Sequence, residues 1–316
     1  MNRRKFIQKG ALAGSFLGLG GIGVNYAFAK AHTHEIPQKS IEKTHNFNLN
    51  YAPHIGMFKA LAGEDPLAQL IFMASIGFTA FEDSKMLSRP LFQQKQIAAT
   101  MENLGMSMGA FVAHKIYWTS ANLASGKQHY REEFLNDIRN AIAPAKLLKA
   151  KWISVVPGYV DLRKDMRFQT ANVVESLKQA AALLEPHGIV MVLEPLNFKH
   201  KQGMFLSQPQ QAYQICKKVA SPSCKMLFDT YHPQIEGKNV LHAIQQAWDE
   251  IAYFKIGDNP GRNEPTTGKI NFKKVFKYIH SRGFEGVLGM EHGTSFKGKE
   301  GEWRVIDAYV QSDKFL

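Results

Sequence analysis

Short apolar runs alternate with amphipathic segments along the chain from residue 46 onward. The short runs have the length and composition of buried strands, and the amphipathic segments have the apolar spacing of helices. Eight strands are predicted, at residues 46–51, 77–83, 106–113, 152–158, 188–194, 226–229, 252–256 and 286–291. A helix is predicted after each strand, at residues 65–76, 91–104, 130–148, 168–186, 208–219, 240–248, 272–281 and 302–311.

This alternation predicts the α/β class and, within it, a (β/α)8 TIM barrel that forms a single domain over residues 46–316. A chain of 316 residues could instead hold two average domains. The even spacing of the strands and the lack of a sizeable linker between them favour one barrel.

The first 45 residues do not continue this pattern. Arg3 and Arg4 precede a glycine-rich apolar run that ends in Ala27-Phe28-Ala29. Paired arginines, an apolar run and an A-x-A cleavage site are typical of a twin-arginine signal peptide. We therefore predict a signal peptide at residues 1–29, a polar linker at residues 30–45, and export to the periplasm by the twin-arginine machinery.

A transmembrane anchor is the alternative interpretation of residues 11–29. Five glycines in this run weaken its hydrophobicity, and a spanning helix needs about 20 predominantly apolar residues. The sequence therefore predicts no stable membrane span after processing.

The formal net charge of the whole chain is +12. Four of these charges, on Arg3, Arg4, Lys5 and Lys9, lie in the predicted signal peptide, which leaves +8 on the mature chain. The other Lys and Arg residues are spread over many segments without a basic stripe interleaved with aromatic residues. The sequence therefore does not predict a nucleic-acid partner, whereas a small anionic molecule fits the charge.

Two cysteines, Cys216 and Cys224, are the whole complement of the chain. In an oxidising periplasm they could close a short loop as a disulfide. A pair of buried free thiols is the alternative, and it is the more usual state for so few cysteines.

Ionisable residues stand at the ends of four successive predicted strands. They are Glu194, Asp229, Lys255 and Glu291. A single acid at a strand end is more often a helix cap or part of a salt bridge, but the ends of parallel barrel strands meet at one mouth. We therefore expect one shared site, and because converging carboxylates repel one another, it needs a cation such as a divalent metal or a lysine ammonium.

Four motifs surround these residues. They are Leu193-Glu194-Pro195-Leu196-Asn197, Phe228-Asp229-Thr230-Tyr231-His232, Pro260-Gly261-Arg262-Asn263-Glu264-Pro265-Thr266-Thr267-Gly268-Lys269-Ile270-Asn271, and Gly289-Met290-Glu291. Together they resemble the hydroxypyruvate isomerase branch of the xylose isomerase-like TIM barrels. The resemblance is strong from about residue 188 to residue 292 and only architectural before that.

The resemblance implies an enzyme that moves a proton α to a carbonyl group of a sugar or hydroxy-carbonyl acid through an enediolate. Glu194 and Glu291 would form the acid–base pair. A divalent metal ion, Mg, Mn, Co or Zn, would be bound by Glu194, Asp229 and Glu291 and would polarise the substrate oxygens.

Further residues would line the mouth by the same resemblance. His232 and Arg262 would hold substrate oxygens or a carboxylate, and Glu82 would line the mouth from the first half of the chain. Independently of the resemblance, His114 stands at the tip of the third predicted strand. His114 and His232 could each line the site and bind substrate, or instead satisfy loop carbonyls.

Lys255 departs from the family pattern, because its position is one where the family has a neutral Gln or His metal ligand. A protonated lysine beside a divalent ion would face strong repulsion between like charges. Lys255 is therefore deprotonated, points away, or replaces the metal and binds the substrate itself.

The sequence thus predicts an exported isomerase or epimerase that acts on a small sugar or hydroxy acid. A lyase or hydrolase that acts on oxidised sugars is one alternative, since it would use the same enolising step. A non-catalytic, carbohydrate-binding barrel in which Lys255 replaces the metal is the other.

Overall fold

Parallel strands form the centre of the protein, whose computed structural model describes residues 43–235, 237 and 239–316. Nine strands occur in this described part of the chain. They are β1 (Asn50–Pro53), β2 (Ala80–Phe81), β3 (Ser107–Met108), β4 (Phe111–Val112), β5 (Trp152–Val155), β6 (Val190–Leu193), β7 (Cys224–Asp229), β8 (Ile251–Ile256) and β9 (Val287–Met290).

Helices separate most of these strands. They are α1 (Lys59–Ala62), α2 (Pro66–Ile76), α3 (Leu91–Asn103), α4 (Gln128–Leu147), α5 (Met166–Leu184), α6 (Pro209–Val219), α7 (Tyr231–Ile235), α8 (Val240–Ala247), α9 (Phe272–Ser281) and α10 (Gly298–Ser312). None of the helices in the described residues is long and apolar enough to cross a membrane. The predicted signal peptide and residues 30–42 of the predicted linker lie outside the described residues.

Seven strands form one parallel sheet in the order β1-β9-β8-β7-β6-β5-β4. β2 and β3 form a separate parallel pair. Backbone hydrogen bonds join this pair to β1, because Glu82 N–H donates to Pro53 O at 2.9 Å and Ile55 N–H donates to Glu82 O at 2.9 Å. The chain therefore curls round into the predicted α/β barrel, which the structure confirms.

The prediction of one continuous strand at residues 106–113 is wrong. Gly109 and Ala110 separate this segment into β3 and β4. A Cβ atom on Gly109 would collide with the hydroxyl of Tyr253 and lie 2.7 Å from Cγ of Glu82. The side chains of Tyr253, in β8, and of Glu82, directly after β2, therefore lie against the backbone here, and only glycine leaves them enough room.

Local sequence signals fix where several helices begin and end. Asp65 caps α2 by accepting a hydrogen bond from Leu67 N–H at 3.1 Å, and Pro66 occupies the first helical position. Gly77 ends the same helix with φ = 115°, a left-handed conformation that favours glycine. Asn271 caps α9 in a similar way through Lys274 N–H at 3.1 Å.

Two apolar layers hold the barrel together. The large outer layer lies between the strands and the helices. The smaller inner layer fills the barrel with eight buried residues, Ala52, Ala80, Ala110, Trp152, Val192, Leu227, Tyr253 and Val287. The barrel interior is therefore packed, and only its mouth is available for chemistry.

Cys216 and Cys224 are buried free thiols. The structure therefore has the second of the two predicted alternatives for this pair. No disulfide bond joins α6 to β7 through these two residues.

The beginning and the end of the described chain are tied together through Asp313. Its Oδ1 accepts a hydrogen bond from Tyr51 OH at 2.7 Å, and its Oδ2 accepts from Asn48 N–H at 2.7 Å and from Asn48 Nδ2 at 3.0 Å. Tyr51 and Asp313 are 1% and 4% exposed. The carboxylate therefore connects β1 to the residues after α10 through one buried contact with Tyr51 and partly buried contacts with Asn48.

We predict that Asp313→Ala lowers the free energy of unfolding by about 1–3 kcal/mol, because it leaves the buried Tyr51 hydroxyl without its acceptor. Chemical denaturation of the purified protein measures this change. Asp307→Ala, which removes an exposed carboxylate from α10, is the matched control and should change the stability much less. Equal effects of the two substitutions would contradict the role assigned to Asp313.

Candidate active site

Four strand ends bring the predicted cluster together at one edge of the sheet. Asp229 ends β7 and is paired in register with Lys255 of β8. Glu194 follows β6 directly, and Glu291 follows β9 directly. Since β6, β7, β8 and β9 are consecutive neighbours in the sheet, the four residues lie together at its carboxyl edge.

These side chains point into the barrel because strand side chains alternate between the two faces. Val192, Leu227 and Tyr253, each two positions before one of the cluster residues, belong to the inner apolar layer. Val287, four positions before Glu291, belongs to it as well. The ionisable groups therefore form the layer directly above the apolar interior.

Lys255 lies between two of the carboxylates. Its Nζ is 3.1 Å from Oε1 and 3.0 Å from Oε2 of Glu194, and it also contacts Oε2 of Glu291. The side chains of Lys255 and Glu194 are only 11% and 8% exposed. Burial opposes the charged form of Lys255, but the charges of Glu194 and Glu291 outweigh it and raise the pKa of the ammonium. Lys255 is therefore charged, and it points into the cluster.

Arg262 is the second cation of the site. Its Nη2 is 2.8 Å from Oδ2 of Asp229 and 3.2 Å from Oε1 of Glu291, and its Nε donates to the backbone oxygen of Glu291 at 3.3 Å. The guanidinium also lies over the ring of Tyr231, 5.1 Å from its centroid. Arg262 thus joins the ends of β7 and β9 from the loop that follows β8.

Asp258, which is fully buried, shapes this loop. Its carboxylate accepts hydrogen bonds from the backbone N–H of Asn259 at 2.8 Å, of Gly268 at 2.8 Å and of Ile270 at 3.1 Å. Its backbone oxygen also accepts from Arg262 N–H at 2.8 Å. One carboxylate therefore folds most of the long motif at residues 260–271 and brings Arg262 to the mouth.

His232 presents an N–H group to the site. Asn197 Oδ1 accepts from His200 N–H at 2.9 Å, which turns Asn197 Nδ2 towards Nδ1 of His232 at 2.6 Å. An amide nitrogen can only donate, so Nδ1 accepts and the ring proton lies on Nε2. Nε2 is buried without a hydrogen-bond partner, 3.4 Å from Oδ2 of Asp229.

Glu82 lies beside the cluster, in the layer that the inner core supports. Its Oε1 accepts from Tyr253 OH at 2.7 Å, and a Cβ atom on Gly289 would lie 2.5 Å from its Oε2. Burial raises its pKa to about 8, and the positive charge of Lys255 only partly opposes this shift. Glu82 is therefore a largely neutral carboxyl group at pH 7 and is enclosed by side chains of other strands.

Glu194 and Glu291 differ in their electrostatic environment. Burial raises the pKa of Glu194, and the ammonium of Lys255 opposes that effect only in part. Burial acts on Glu291 too, but Lys255 and Arg262 together outweigh it and lower the pKa to about 2. One carboxylate is therefore the stronger base, and the other stays ionised.

His114 lies apart from the cluster. Its Nδ1 is 2.9 Å from the backbone oxygen of Lys115, and its Nε2 accepts a hydrogen bond from Val156 N–H at 3.1 Å. Burial lowers its pKa to about 4. Both nitrogens of a neutral ring are occupied by backbone groups, so His114 satisfies a loop carbonyl and has no nitrogen left for substrate.

The cluster offers one set of three potential metal ligands among the described residues, namely Glu194, Asp229 and His232, whose ligand atoms lie within 4.8 Å of one another. This set differs from the predicted one, because Glu291 instead contacts both cations. Two unit charges 4 Å apart repel by about 4 kcal/mol near a protein surface, and a divalent ion doubles that energy. The residues present therefore do not fit a divalent ion while Lys255 is charged.

Sequence reasoning missed Tyr253, Asn197 and Asp258. Tyr253 precedes Lys255 by two positions and therefore shares its face of the strand, which was a usable signal. Asn197 stands in the motif that contains Glu194, but its contact with His232 links two different strand ends. Asp258 acts only within the folded loop, so its role could not be recognised from spacing.

The sequence profile of the family described as xylose isomerase-like TIM barrel matches residues 70–305. The chain is also similar to named isomerases. It is 32% identical to the hydroxypyruvate isomerase of Escherichia coli over 161 residues, which are 51% of this chain and 62% of that protein. The match therefore spans less than two thirds of that relative.

Two further proteins are similar over a larger share of their length. The 2-oxo-tetronate isomerase of Cupriavidus necator is 26% identical over 198 residues, 62% of this chain and 76% of that protein. The crystal structure of D-psicose 3-epimerase from Clostridium cellulolyticum superposes with a TM-score of 0.66 at 19% identity. That superposition covers 84% of this chain and 96% of the epimerase, and it supports the fold.

We predict that Glu82→Gln changes how stability depends on pH. The folded protein keeps the Glu82 proton up to about pH 8, whereas the unfolded chain releases it near the ordinary value of 4.5. The folded state therefore binds more protons between these values, and wild-type stability falls as the pH rises through this window. Glu82→Gln removes this contribution, so its stability relative to wild type should increase from pH 5 to pH 8.

Urea denaturation of both proteins at pH 5, 6.5 and 8 measures the effect. Glu285→Gln, which changes an exposed carboxylate, is the control. A constant difference between wild type and Glu82→Gln over this range would show that Glu82 carries no extra proton in the folded protein.

Proposed function

The chain belongs to the xylose isomerase-like TIM barrel family, and we propose that it catalyses proton transfer α to a carbonyl group of a sugar or hydroxy-carbonyl acid. The names of the similar isomerases support this reaction class. The observation that carries the proposal is the pair of Glu194 and Glu291, which contact the same ammonium but have opposite pKa shifts. Carboxyl groups whose environments separate their pKa values are suited to acid–base catalysis.

Three donors are suited to hold the substrate oxygens. Arg262 is 31% exposed and faces the mouth, and His232 offers a buried Nε2–H without a partner. The ammonium of Lys255 has three N–H groups and lies between the two proposed acid–base residues. A vicinal hydroxyl and carbonyl group, or a carboxylate next to them, offers acceptors for such a set of donors.

In the proposed reaction, the carboxylate of Glu194 removes the proton from the carbon that carries the hydroxyl group. The C–H electron pair forms the carbon–carbon double bond of an enediolate, and negative charge develops on the former carbonyl oxygen. The carboxylate of Glu291 accepts the hydroxyl proton only transiently, because its lowered pKa makes it a weak base that releases the proton again at once. The two protons then return, one to the adjacent carbon and one to the former carbonyl oxygen, which completes an isomerisation without a redox partner.

We predict that Glu194→Gln lowers the rate of proton exchange at the α carbon by about 10²–10⁴-fold, because an amide cannot act as the base. Incorporation of solvent deuterium into hydroxypyruvate, 2-oxo-tetronate and a panel of ketoses, followed by NMR, measures the rate. Glu285→Gln is the control for a general effect of removing a carboxylate.

Two outcomes would contradict this assignment in different ways. An unchanged exchange rate in Glu194→Gln would remove Glu194 as the base. No exchange by the wild-type protein with any of these compounds, together with saturable binding of one of them, would favour the non-catalytic carbohydrate-binding barrel.

We also propose that the protein acts in the periplasm after export by the twin-arginine route. The support is the sequence of residues 1–29, with Arg3-Arg4 and Ala27-Phe28-Ala29. This location would restrict the substrate to sugars or hydroxy acids outside the cytoplasm.

We predict that replacing both Arg3 and Arg4 by Lys keeps the protein in the cytoplasm of a Gram-negative host that has the twin-arginine machinery. Cell fractionation measures the distribution, and mass spectrometry of the exported wild type should place the new N-terminus near Lys30. Lys9→Arg is the control and should be exported. Normal export of the double variant would exclude the twin-arginine route.

A further inference from the structure

We propose that the ammonium of Lys255 takes the place of a divalent metal ion in this site, and that the chain acquires a metal site only when this lysine is removed. The inference concerns the ionic composition of the site. It holds or fails independently of the proposed reaction.

The position of the ammonium is the first argument. Nζ of Lys255 lies within 3.1 Å of both oxygens of Glu194 and contacts Oε2 of Glu291. The hydrogen bonds of the ammonium go to the two oxygens of Glu194, and its contact with Glu291 is an ion pair. The lysine therefore bridges two carboxylates from different strands, which is what a shared cation does in a cluster of acids.

Arg262 supplies the second argument, because it neutralises the remaining carboxylate. It is 2.8 Å from Asp229 and 3.2 Å from Glu291. Three carboxylates and two protein cations leave a formal charge of −1 in the cluster. A divalent ion added beside Lys255 would turn this into +1, so the protein already supplies nearly all of the positive charge that the carboxylates need.

The protonation of His232 is the third argument. A metal is bound by a ring nitrogen with a free lone pair, but the contact of Asn197 with Nδ1 leaves the proton on Nε2. His200 N–H fixes the direction of the Asn197 amide. Among the described residues, His232 is the histidine that groups with Glu194 and Asp229, and it is therefore held as a donor, which suits a substrate oxygen and repels a cation.

The same geometry defines a latent metal site. Lys255→Gln removes one positive charge and leaves the cluster with a formal charge of −2, which one divalent ion would balance. The Gln side chain adds a neutral oxygen ligand beside Glu194, Asp229 and Glu291, and such ligands suit hard divalent cations. The substitution should therefore convert the ammonium site into a site for a divalent ion.

The experiment compares the purified mature protein with three variants of it. Wild type, Lys255→Gln, Lys255→Arg and Lys225→Gln are each incubated with Mn²⁺, Mg²⁺, Co²⁺ or Zn²⁺ and passed through a desalting column. Elemental analysis then gives the number of bound ions, and circular dichroism checks the fold. Lys225→Gln is the matched control, because it removes a β7 lysine that pairs with Glu250 at 2.7 Å, outside the cluster.

We expect fewer than about 0.1 bound ions per chain for wild type, Lys255→Arg and Lys225→Gln, and about one ion per chain for folded Lys255→Gln. Titration with Mn²⁺ should show at least a tenfold tighter Kd for Lys255→Gln than for wild type. A stoichiometric divalent ion in the wild type would overturn the proposal, and so would folded Lys255→Gln that binds no more metal than the wild type.

The wild-type measurement remains decisive if Lys255→Gln does not fold, and Lys255→Met then serves as the second neutral variant. Deuterium exchange is measured separately on metal-depleted wild type. Exchange that persists without metal would support both proposals. Loss of exchange with no metal bound in either preparation would overturn the reaction and leave the assignment of Lys255 intact.

Discussion

Repulsion among Glu194, Asp229 and Glu291 is the constraint on which the mouth of the barrel depends. The parallel strands deliver three carboxylates to one small, poorly solvated layer, where they would otherwise take up protons or move apart. Lys255 and Arg262 prevent this by pairing with all three, each cation joining residues from two strand ends. The same two cations therefore hold the carboxylates in place and keep them ionised.

The inner apolar layer of the barrel fixes the positions of the strands that carry the charged residues. Val192, Leu227 and Tyr253 are fully buried, so the strands that carry Glu194, Asp229 and Lys255 cannot twist independently. The loops add neutral or positive donors to the site. Asp258, for example, accepts hydrogen bonds that orient the segment carrying Arg262. The packed inner layer and the hydrogen-bonded loop together allow one site to raise the pKa of Glu194 and lower that of Glu291.

The sequence predicted the architecture and the meeting of the four strand ends, because both follow from apolar spacing and from the direction of parallel strands. It could not choose among the three states of Lys255, since the direction of a side chain depends on partners 61 and 36 residues away along the chain. Residues 106–113 were predicted as one strand because their own sequence does not reveal that the side chains of Glu82 and Tyr253 pack against Gly109. The neutral ring of His114 also follows from distant contacts.

The close packing around Glu82 has an evolutionary consequence. Gly109 and Gly289 leave the space that Glu82 and Tyr253 fill, although these four residues come from four separate stretches of the chain. A larger residue at either glycine would be tolerated only if the carboxyl group or the phenol became smaller at the same time. Among relatives of this protein, the four positions should therefore covary as a group, while the loops above them remain free to diversify towards new substrates.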